Sequence, residues 1–70
     1  MFQILKKQYR NYCVIEEHED VLEAKDTMDS IRLLVSHLKY KINKSICTKT
    51  SEYFSVDSKP RTYFKMVEKL

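Results

Sequence analysis

The chain has no glycine and no tryptophan, a single proline and two cysteines. Average usage would place about five glycines in a chain of this length, so their absence is informative. The phosphate-cradling loops of Walker-type and dinucleotide-binding sites need backbone that a Cβ would obstruct, and both are excluded. Turns that require positive φ must use Asn or Asp, or give way to longer loops built on type I geometry. Apolar runs are short as well. The longest aliphatic run, Leu33-Leu34-Val35, falls far below the ~20 residues of a membrane span. Lys6 and Lys7 follow a brief apolar stretch at the N-terminus, the wrong order and length for a secretory signal. An intracellular, cytoplasmic and reducing setting is therefore expected, with Cys13 and Cys47 as free thiols.

What is present fits one small folded domain over residues 1–70. Hydrophobic residues make up 43% and charged ones 33%, a composition neither disordered nor membranous. A domain this small buries only roughly 60% of its unfolded surface, which leaves little room for an enzyme pocket. The clearest periodicity lies in the middle. Val21, Ala24, Met28, Ile31, Val35 and Leu38 recur at three- and four-residue steps, with Leu22, Leu34 and Ile42 widening the stripe. Asp20 is a suitable N-cap with Glu23 as capping-box partner, and Asn43 is a suitable left-handed terminator. The spacing predicts one long amphipathic helix over about residues 20–41.

The two ends read as hairpins. Phe2 and Ile4 alternate, as do Tyr12 and Val14, around the polar break at residues 8–11. Near the C-terminus, Glu-Tyr-Phe-Ser-Val and Arg-Thr-Tyr-Phe-Lys-Met-Val flank the turn-rich Asp57-Ser58-Lys59-Pro60. Helical spacing competes at both ends, through Phe2, Leu5, Tyr9 and Tyr12 and through Tyr63, Val67 and Leu70. Aromatic and β-branched content favours strands. The resulting expectation is an α+β fold of the ββαββ type, with the helix on one face of a small antiparallel sheet of about four strands. In the C-terminal hairpin, Phe54, Val56, Phe64 and Met66 share the inner face. Tyr53, Ser55, Tyr63 and Lys65 share the outer one.

Charge is unevenly distributed. Residues 1–12 sum to +3, residues 13–30 to −6, residues 31–50 to +5 and residues 51–70 to +1, within a net charge of +3. Acid at the start and base at the end of the central helix suit its macrodipole, which explains much of the asymmetry. The remainder suggests a working surface. Tyr53, Tyr63 and Lys65 are the expected anchors of a partner-binding sheet face, extended by Lys39, Tyr40 and Lys41. Tyrosines beside cations anchor protein interfaces, and they also stack and neutralise single-stranded nucleic acid. No RNA-recognition signature, GXXG loop or zinc finger is present.

Chemistry by other routes finds little support. Cys13, His18, His37 and Cys47 have spacings that match no structural zinc pattern, so no metal or other cofactor is expected. Asp20, Glu23 and Lys25 are the residue types of a metal-dependent nuclease, but one helix start cannot make them converge as separate strands would. A Cys–His nucleophile pair would need a cleft and an oxyanion hole. The expectation is a non-enzymatic interaction or regulatory protein with a protein partner. Nucleic-acid binding is the alternative, and a structural homodimer subunit the second. No small-molecule substrate and no membrane are expected. In composition the chain is similar to the small accessory proteins of phages and mobile elements.

Overall fold

The computed structural model describes residues 1–70. Asp20 begins the helix: its backbone is extended, and its carboxylate accepts a hydrogen bond from the Leu22 N–H at 3.3 Å. Helix α1 then runs Val21–His37, one turn short of the expected end near Lys41. The stop is a hydrogen-bonded C-terminal motif. Lys39 N–H donates to Ser36 O at 3.0 Å and Tyr40 N–H to Val35 O at 3.2 Å, while Lys39 takes φ 63°. In a chain without glycine the left-handed position falls to Lys39, not to Asn43.

The strands are β1 (Phe2–Lys7), β2 (Cys13–His18), β3 (Ile42–Cys47), β4 (Glu52–Val56) and β5 (Thr62–Glu68). They form one antiparallel sheet in the order β2-β1-β5-β4-β3. Both ends of the chain are hairpin strands as expected, and the fold is α+β. The sheet has five strands, not about four, because Ile42–Cys47 pairs with β4. Ile42 and Ile46 lie four apart, a spacing that also suits a helix. A register shift between Ile42 and Lys44, with Asn43 as the extra residue, puts Ile42 on the core side and Ile46 on the other. A similar shift in β2 leaves Ile15 without a Cα partner in β1.

The helix covers one sheet face. Phe2, Ile4, Phe54, Val56, Phe64 and Met66 project inward and meet Ala24, Met28 and Val35, with Val21, Ile31 and Ile42 packed around them. Phe54 and Phe64 stack with ring centroids 5.2 Å apart. Fully burying each such side chain contributes roughly 1.5–3 kcal/mol. The helix buries a narrower stripe than its sequence suggests. Leu22, Leu34 and Leu38 are exposed, because a sheet touches only one arc of a cylinder.

Candidate functional site

Strand pairing builds the outer sheet face in rows. One row reads Val14, Leu5, Lys65, Tyr53, Ile46 across β2, β1, β5, β4 and β3. The next reads Lys7, Tyr63, Ser55, Lys44. Tyr53, Tyr63 and Lys65 therefore share this face as the alternation predicted, and all three are half-buried.

Tyr12 joins them from the turn before β2. Lys65 Nζ stands 4.0 Å and Lys7 Nζ 4.9 Å from the centre of its ring, and Lys7 also lies 4.6 Å from the Tyr63 ring. Cations attracted to ring faces hold this cluster together. Burial raises the Tyr12 phenol above its ordinary pKa, and the nearby Tyr53 and Tyr63 phenols add to the rise. The three phenols thus form one group flanked by two ammoniums. Sequence reading missed Tyr12, Lys7 and Lys44. The Tyr12–Val14 alternation was visible, but the strand order that sets it beside β5 was not.

Lys39, Tyr40 and Lys41 do not extend this face. They form the α1–β3 connection at one end of the sheet, all exposed. Tyr40 turns toward the helix side, where it lines a cleft of about 190 Å³ with Gln8, Val35, Leu38, Val56, Ser58, Thr62 and Phe64. Three connections meet here. Gln8 Nε2 donates to Thr62 Oγ1 at 3.3 Å, tying the β1–β2 turn to the start of β5. Asp57 N–H donates to Lys41 O at 2.8 Å, tying the β4–β5 turn to the α1–β3 connection.

The inner face holds its polar groups in closed networks. Glu52 is 5% exposed. Its carboxylate accepts from Arg32 Nε at 2.7 Å and from Lys25 Nζ at 3.4 Å. Arg32 also donates to Ser45 Oγ at 2.8 Å and lies over the Phe54 ring at 4.3 Å. Lys25 further donates to Thr48 O at 2.7 Å, Ser51 O at 3.1 Å and Cys47 Sγ at 3.1 Å. Burial draws the Lys25 ammonium down. Hydrogen bonds and charge from Cys47 and Glu52 outweigh it and hold its pKa above the ordinary lysine value.

Glu23 does not close a capping box. Its carboxylate lies 3.8 Å from His18 Nδ1, and His18 Nε2 is 3.0 Å from Thr27 Oγ1. Cys13 and Cys47 stand on opposite edge strands as free, exposed thiols. No helix is long and apolar enough to cross a membrane. Comparison with family models, curated proteins and solved structures finds no match to this chain.

Proposed function

We propose that the protein is a non-enzymatic interaction protein that docks a protein partner on the outer face of its sheet. The observation that carries this reading is the helix-free face itself, where Tyr12, Tyr53 and Tyr63 sit among Lys7, Lys44 and Lys65. Such a face is incompletely covered within one chain, and tyrosines in a packed, partly dehydrated setting are typical interface anchors. Three lysines share it with one carboxylate, Glu17, which already accepts from Gln3 Nε2 at 2.9 Å. A partner surface bearing carboxylates around apolar side chains complements it. The action is occlusion or tethering, with no bond made or broken. A binding role is further supported by the commitment of the buried charged groups to the fold: Glu52 holds Arg32 and Lys25.

The test is a paired affinity capture from the native cell, using the wild type and Tyr53→Ala/Tyr63→Ala. A protein retained by the wild type and lost by the variant, at unchanged circular dichroism, is the expected result. Equal recovery by the variant overturns the face. Sedimentation velocity at several concentrations adds the homodimer outcome: self-association abolished by the same two substitutions would assign the face to a second copy.

A further inference from the structure

The end of the molecule formed by the three converging connections goes beyond this reading. It gathers Arg10 from the β1–β2 turn, Lys39 and Lys41 from the α1–β3 connection, and Lys59 and Arg61 from the β4–β5 turn. All five are exposed. The one acid among these segments, Asp57, is 3.7 Å from Arg61 and partly neutralised by it. In sequence these cations are spread over 52 positions (10 to 61) and read as ordinary surface charge. The sheet register brings them together, since Lys7 pairs with Tyr63 and Val56 pairs with both Thr62 and Ile42. At the opposite end, beside the Phe2–His18 pair, Glu17, Glu19, Asp20, Glu23 and Glu68 outnumber the exposed cations Lys49 and Lys69. The molecule is therefore polar along its strands, with a cationic tip.

Rings accompany the cations. Tyr9 is 79% and Tyr40 46% exposed; Tyr40 lines the cleft, and Tyr9 follows Gln8, which lines it too. We propose that this tip binds single-stranded nucleic acid. The five cations follow the phosphodiester backbone, and Tyr9 and Tyr40 stack on unpaired bases. The cleft beside Tyr40 is apolar along Val35, Leu38 and Phe64, a suitable seat for a splayed base. A duplex presents phosphates but no open base faces, so the rings select the single strand. This surface is distinct from the Tyr53–Tyr63 face, so the two proposals stand or fall separately.

The experiment is fluorescence anisotropy with a labelled twelve-nucleotide oligo(dT) and oligo(U), and with a duplex of the same length. Binding is expected at 50 mM salt, tighter to single strands than to duplex. With about four phosphate contacts on a single strand, affinity should fall roughly 50-fold between 50 and 200 mM salt. Arg10→Glu/Lys41→Glu should lose at least tenfold, whereas the charge-matched Lys49→Glu/Lys69→Glu pair, at the opposite end, should stay within about twofold. Tyr9→Ala/Tyr40→Ala should weaken binding at least fivefold with the salt slope unchanged. All of these side chains are exposed, and circular dichroism verifies the fold. The proposal is overturned by no binding at 50 mM salt, by equal losses in the two charge-matched variants, or by a duplex that binds as tightly as the single strands.

Discussion

At Lys39 the backbone passes through φ 63° with a Cβ present, a conformation costing roughly 1–2 kcal/mol in an ordinary residue. The hydrogen bonds from Lys39 and Tyr40 back to the last helical turn compensate, as does Tyr40 beside Val35 in the cleft. Lys39→Gly should remove the steric cost and give back part of it as unfolded-chain entropy. The net expected gain is about 0.5–1 kcal/mol, a rise of a few degrees in Tm, read by thermal denaturation. A β-branched Lys39→Val should lower Tm instead. This residue also shows a limit of sequence reading. Asn43 is the better left-handed residue by propensity, yet Ile42 was needed on the sheet, so the helix ended before it. Tyr53 and Tyr63 were legible because period-two alternation within one hairpin fixes which side chains share a face. Tyr12 and the loop cations were not, because their neighbours are set by strand order.

Among the elements, α1 is fastened to the β3–β4 hairpin by charge as well as by burial. Lys25 and Arg32, seven residues apart on one helix flank, both reach the Glu52 carboxylate, whose side chain is 4% exposed. A lone carboxylate buried on a sheet would be strongly unfavourable, and a pair of cations makes it tenable. Glu52→Gln keeps the shape and removes the charge. Because the two cations remain 20% and 24% exposed and can rehydrate, the expected loss is about 2 kcal/mol, below that of a fully buried pair. Urea denaturation at neutral pH measures it. The same network gives a pH signature. The folded-state pKa of Lys25 is raised, so its contribution is complete below the unfolded lysine value of about 10.4 and is lost as pH rises through the folded value. The alkaline fall in urea midpoint should be shallower in Glu52→Gln than in the wild type. The helix itself was legible from its stripe and its Asp20 cap. Glu52 as a buried hub was not, since a charged residue in the inward register reads as a strand end.

For the whole molecule, β1 and β5 are neighbours near the middle of the sheet, and Phe2 pairs with Glu68. Closing a contact between residues so far apart precedes much of the core, because Ile4 and Met66, both fully buried, face each other across it. Loop-closure entropy must be met before those contacts repay it. Refolding is therefore expected in the millisecond-to-second range, not in microseconds. Stopped-flow dilution from urea tests this, and a refolding phase complete within the instrument dead time would contradict it.

That central pairing also sets where the chain ends emerge. Met1 O accepts from Lys69 N–H at 2.8 Å, so both ends leave the domain side by side, away from the three basic connections. A fusion partner or surface anchor placed on either end would hold the protein upright with its positive pole pointing into solution. Immobilisation by one terminus or the other should thus give interchangeable sensors.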